Sequence, residues 1–95
     1  MSRKDDFIAG MQSRLAQWGA ELSRLEAKLE GAEARVKDRY LHAVQSLRDK
    51  HRAIESKLDE IGREDSWEEL RDEVERIQVA FKAGMEAIRD FSDHS

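Results

Sequence analysis

Histidine is the first place to look for chemistry in this sequence, because imidazole binds metals and moves protons near neutral pH. His42 lies four residues after Asp38, which puts the two on one face of a helix. One carboxylate and one imidazole fall short of a metal site and read as a solvated pair. The residues three before His42, His51 and His94 are Arg39, Arg48 and Phe91, so the Glu-x-x-His pattern of helical di-metal sites is absent. His51 falls on a core position, where a histidine could fix register or make assembly pH-sensitive. The plainer alternative is a partly exposed imidazole beside Lys50 and Arg52 with no switching role. No nucleophile sits beside a base, and the glycines at 10, 19, 31, 62 and 84 are scattered rather than gathered into a phosphate loop. No catalytic, cofactor-binding or metal-binding residue is expected, and the reading is non-enzymatic.

The elements that carry these residues are helical. Charged residues make up 40% of the 95 positions and there is no proline. Ala, Glu, Lys, Leu and Arg together fill about half the chain, the composition of long helices and coiled coils. The absence of cysteine removes disulfides and thiolate metal sites and is compatible with a reducing cytoplasm. The opening Met1–Asp6 segment has no apolar run behind it, so no signal peptide is expected, and no stretch approaches the ~20 apolar residues of a membrane span. A cytoplasmic protein with a single helical domain over 1–95 is the expectation.

From Ile8 onward, apolar residues recur at spacings of three and four. Ile8, Leu15, Leu22, Leu29 and Val36 form one row; Met11, Trp18, Leu25 and Ala32 form the other. After Val36 the phase slips by four, and Tyr40, Leu47, Ile54 and Ile61 continue it with Val44, His51 and Leu58. Such a stutter relaxes a supercoil without breaking a helix. The pattern predicts one helix over residues 3–61, roughly 90 Å long at 1.5 Å per residue.

The segment I-G-R-E-D-S-W-E-E-L at 61–70 reads as a stop and a restart. Gly62 suits a left-handed C-cap, Ser66 and Glu69 suit a capping box, and 62–65 forms a tight turn. A second helix over 66–91 follows, with Trp67, Val74, Phe81 and Ile88 in one row and Leu70, Ile77, Gly84 and Phe91 in the other. A frayed tail occupies 92–95. Through residue 61 the chain carries 12 Lys/Arg and 11 Asp/Glu; beyond it, 5 and 10. The acidic second helix is therefore expected to fold antiparallel onto the basic segment 35–57, giving a hairpin core of Val36, Tyr40, Val44, Leu47, His51, Ile54, Leu58, Ile61, Trp67, Leu70, Val74, Ile77, Phe81, Ile88 and Phe91.

At about 25 residues, or roughly 38 Å, the second helix covers only the later part of the first. Ile8, Met11, Leu15, Trp18, Leu22, Leu25 and Leu29 are left without an intrachain partner. Burial of each Leu or Ile is worth roughly 1.5–3 kcal/mol, so this stripe is expected to be an oligomer interface closed by further copies of the chain, as a dimer or a tetramer. The alternative is a monomeric three-helix bundle broken near Gly31. Against it, E-G-A-E-A contains no capping residue and the apolar phase runs through Leu29, Ala32 and Val36. A glycine inside a helix costs only about 1 kcal/mol.

The stretches L-A-Q-W-G-A-E-L-S-R-L-E-A-K-L-E, R-V-K-D-R-Y and S-W-E-E-L-R-D-E-V-E-R-I-Q-V-A-F resemble a family of small bacterial coiled-coil proteins labelled as stress-response proteins. Its members share the first-helix tryptophan (Trp18), the Leu-Glu-Ala-Lys run after it, and a start to the second helix like Ser66-Trp67. The resemblance implies a bacterial, cytoplasmic, helical protein without established catalytic residues. The combined reading is a homo-oligomeric coiled-coil protein with a structural or partner-binding role. An apolipoprotein-like lipid-surface binder is the alternative, although the acidic second helix would be repelled by anionic lipid. Nucleic acid is disfavoured as a partner, because the basic 35–57 segment holds a single aromatic, Tyr40, rather than an interleaved set, and an acidic helix is expected alongside it.

Overall fold

The computed structural model describes residues 2–93, and among them every regular element is helical. Helix α1 runs Arg3–Glu30, α2 Ala34–Arg63, α3 Glu68–Ala87, and a short α4 Arg89–Asp93. Three long helices pack against one another in a rod of 48 × 19 × 18 Å. No helix is long and apolar enough to cross a membrane.

Local signals open α1 well. The Ser2 hydroxyl accepts a 3.1 Å hydrogen bond from the Asp5 amide, and Asp5 and Asp6 place negative charge at the positive end of the helix dipole. The single helix expected over 3–61 is not formed: the chain turns at 31–33 and α2 restarts at Ala34. Gly31 is still in the right-handed helical region (φ −84°, ψ 0°), and the Ala32 amide donates to the Leu29 carbonyl at 3.1 Å. Direction changes where Glu33 becomes extended (φ −63°, ψ 153°).

The cause is long-range. Folding α1 back onto α2 buries Met11, Leu15, Leu22, Leu25 and Leu29 to 6% exposure or less, with Ile8 and Trp18 half-buried beside them. Five buried side chains at roughly 1.5–3 kcal/mol each outweigh a missing N-cap, which costs about 0.5–2 kcal/mol. The stripe expected to need another copy is thus covered within the chain.

The second turn differs from its expected chemistry. Gly62 lies inside the last turn of α2, with no glycine among the described residues at positive φ. The helix ends one residue later, where Glu64 becomes extended (φ −111°, ψ 139°). Helix α3 starts at Glu68, not Ser66, and its N-cap position is Trp67, whose side chain makes no capping bond. The chain then breaks again at Ile88, so the expected helix to residue 91 becomes α3 plus α4. Of the expected tail, residues 92 and 93 belong to α4, and 94–95 lie outside the described residues.

Candidate functional site

All three long helices contribute to two adjoining apolar layers. One holds Leu22, Leu25, Leu29, Val44, Leu47, Phe81, Ile88 and Phe91, flanked by half-buried Val36 and Tyr40. The other holds Met11, Leu15, Ile54, Leu58, Ile61 and Val74, flanked by Ile8, Trp67, Leu70 and Ile77. Trp18 touches both layers and stacks on Phe81 at 4.8 Å, which joins α1 to α3. Phe7 and Trp67 make a second α1–α3 ring contact at 5.7 Å, and Tyr40 stacks on Phe91 at 4.8 Å at the far end. The residues expected to serve separately as oligomer interface and hairpin core therefore share one interior.

Close approach at two places depends on glycine. A Cβ on Gly84 would lie 2.7 Å from Leu47 Cδ2, so the bare backbone of α3 is what lets Leu47 fill the core. A Cβ on Gly19 would lie 3.2 Å from His51 Nε2. That space admits the one buried polar side chain among the described residues: His51 is 7% exposed, and its Nε2 sits 2.8 Å from the Leu15 carbonyl oxygen of α1. It is not the partly exposed imidazole of the plainer sequence reading. On the other side of the ring, Nδ1 lies 2.8 Å from Glu55 Oε1, a close contact without the alignment of a hydrogen bond. Gln12, Glu55 and Asp59 border a shallow groove of about 400 Å³ over this ring.

Farther along the α1–α2 seam, the Arg48 guanidinium donates from Nε to Glu26 Oε2 (3.2 Å) and from Nη2 to Oε1 (2.6 Å). This fork holds the Glu26 carboxyl below its usual range and raises Arg48 above its own. On the α2–α3 seam, Lys57 Nζ lies 2.7 Å from Glu73 Oε2; its hydrogen bond lowers Glu73 and raises Lys57. Charge complementarity between α2 and α3 is thus narrower than expected, since Arg48 in the basic segment pairs with α1. Beyond the fork, a groove of about 610 Å³ contains Ala27, Lys37 and Leu41, the last 40% exposed.

Asp38 and His42 both lie on the exposed side of α2, and no cluster of three or more potential metal ligands occurs among the described residues. The arrangement orders helices: His51 reads a backbone carbonyl, the Arg48–Glu26 fork sets α1 against α2, and the aromatics fill the interior. Sequence reasoning missed the fork and the His51–Leu15 bond. Both require α1 to fold back, and neither pair sits at a local helical spacing. No protein family, curated protein or solved structure was found to match this chain.

Proposed function

We propose that this chain works by association, as a structural or partner-binding helical protein that associates with itself in the cytoplasm rather than as a catalyst. The family resemblance adds a stress-related setting to this reading. One observation carries it: the buried His51, through Nε2, and the half-buried Arg48 each bond across helices and so hold them together. His51 is used on the Leu15 carbonyl and Arg48 on Glu26, which leaves the helix faces and seams as the working parts. Among these, Leu41 and Val79 are large apolar side chains at 40% and 68% exposure.

Light scattering behind size exclusion over a hundredfold concentration range tests the self-associating form. A mass that rises to two or four chains supports it. A single-chain mass throughout removes it and leaves only the binding of a different partner.

A further inference from the structure

The turn at 31–33 is poorly written for a permanent helix break. Glu33 stands at the N-cap of α2 and its side chain makes no capping bond. No acid occupies the first turn of α2; Arg35 and Lys37 are there instead, at the positive end of the helix dipole. The first four amides of a helix lack intrahelical partners. In an uninterrupted helix those four would be bonded, and the two cations would no longer face a helix terminus. Gly31 already has helical torsions, whereas Glu33 ψ, at 153°, must move to make α1 and α2 continuous. The apolar rows pass through Leu29, Ala32 and Val36 without losing phase.

We propose that the partner fitting this molecule is a second copy of the same chain, bound by exchange of α1 about the 31–33 hinge. This rests on the self-association reading above and gives it a geometry. In the exchanged dimer each chain is one helix from Arg3 to Arg63, with α3 folded back on it, and the two long helices run antiparallel. Every contact that α1 makes in the closed chain is remade by the partner copy's α1: Trp18 on Phe81, Glu26 on Arg48, the Leu15 carbonyl on His51. The exchanged interface is therefore complementary from the outset. The balance between closed and exchanged forms depends on the hinge and on chain concentration, and short hinge loops are where such exchange arises.

The hinge can be biased toward the closed form. Ala34 is the first residue of α2 and follows an extended residue, a place where proline fits the closed form. In a continuous helix the same proline would be interior. Ala34→Pro is therefore expected to weaken dimerisation at least about a hundredfold per chain, from the proline helix penalty. Gly31→Ala has room in the closed form, the nearest atoms to an added Cβ being backbone oxygens at 3.8 and 3.9 Å. Because residue 31 is helical in both forms, this change should leave the balance between them within about fivefold of the wild type, which makes it the control for Ala34→Pro.

The test is the molar mass of the wild type and both variants over the same concentration range, with circular dichroism as a check that each is helical. A Gly-Ser-Gly insertion after Ala32, which lengthens the hinge, replaces Ala34→Pro if that variant does not fold. The chain has no cysteine, so Gln12→Cys with Asp59→Cys gives a clean spin-label pair; both residues border the same groove when the chain is closed. Diluted into unlabelled protein, this pair should separate to about 70 Å in the dimer, at 1.5 Å per residue of continuous helix. A dimer with the short closed distance, or one indifferent to the proline or the longer hinge, would overturn exchange while leaving self-association in place. Single-chain masses for both the wild type and Gly31→Ala would overturn both.

Discussion

The two turns of this molecule reverse the chain by different means. At 64–67, Arg63 closes α2 and Glu68 and Glu69 open α3, so charges of the favourable sign lie at both helix ends. Trp67 then anchors the turn, with its ring 5.7 Å from Phe7 and the Arg71 guanidinium 5.4 Å away. The Lys4 ammonium donates to the Glu64 carbonyl at 3.1 Å, which ties the turn to the start of α1. At 31–33 the helix that begins has two cations in its first turn, although Lys28 in the last turn of α1 donates to the Phe91 carbonyl at 3.5 Å; neither α2 nor α3 has a side-chain cap. The 64–67 turn carries the more favourable charges where it lies, and the 31–33 turn depends more on packing elsewhere. A change in the α1 stripe should therefore act on the 31–33 turn at a distance, while changes at 64–67 should act locally.

The largest expected effect breaks the distant support. Leu22 is fully buried and belongs to α1 alone, so Leu22→Ala should cost about 2–5 kcal/mol in chemical denaturation. Amide exchange should rise more within α1, at residues 22–29, than within α3, at 74–81, because α1 can detach while α2 and α3 stay paired. Equal acceleration in both helices would mean that the three helices open as one unit and that the contrast between turns is illusory.

Next comes a change that gives the weaker turn what it lacks. Glu33→Ser places a capping hydroxyl at an extended N-cap residue and should stabilise the closed chain by about 1 kcal/mol. Ser66→Ala is the counterpart at the other turn. Since α3 starts after Trp67, this change should stay within about 0.5 kcal/mol, as for an ordinary surface substitution. A large loss from Ser66→Ala would show that a capping box forms in solution. Reversing charge at the two helix starts gives a smaller pair of effects with opposite signs. Arg35→Glu should stabilise and Glu68→Lys destabilise, each by about 0.3–1 kcal/mol and less in high salt.

The same contrast explains what could be read from the sequence. Heptad spacing located Leu22, Leu47, Ile54, Val74 and Phe81 as inward-facing, because the period of apolar residues survives whichever way the helices fold. The stop near residue 62 was legible in position but not in chemistry: the Gly-then-Ser pattern suggested a left-handed cap and a capping box, while the chain uses extended Glu64 and a Trp67 anchor. The break near Gly31 was legible only as the alternative reading, since Gly31 keeps helical torsions and Glu33 offers no capping signal. What breaks the helix is the energy of covering Met11 through Leu29, which depends on what lies opposite them in space. His51 showed the same limit. Its row position marked it as inward-facing, but its partner, a backbone oxygen on another helix, has no sequence signature.

The smallest effect concerns acid, and it distinguishes the two seams. Hydrogen bonding from Arg48 lowers the Glu26 carboxyl, and hydrogen bonding from Lys57 lowers that of Glu73. A carboxyl lowered in the folded chain contributes stability above its unfolded pKa and loses it as pH falls through the folded value. The two ion pairs should therefore weaken as pH drops through the acidic side of the carboxylate range, with no contribution from these carboxylates to any change between pH 6 and 8. Glu26→Gln should reduce the acid sensitivity of α1 docking, read from amide exchange at 22–29, and leave α3 docking unchanged. Glu73→Gln should do the reverse. Because both carboxylates are partly exposed, these differences should shrink in high salt. If either substitution altered both seams equally, the two ion pairs would be coupled through α2, and the helix would transmit between the turns what the packing otherwise keeps separate.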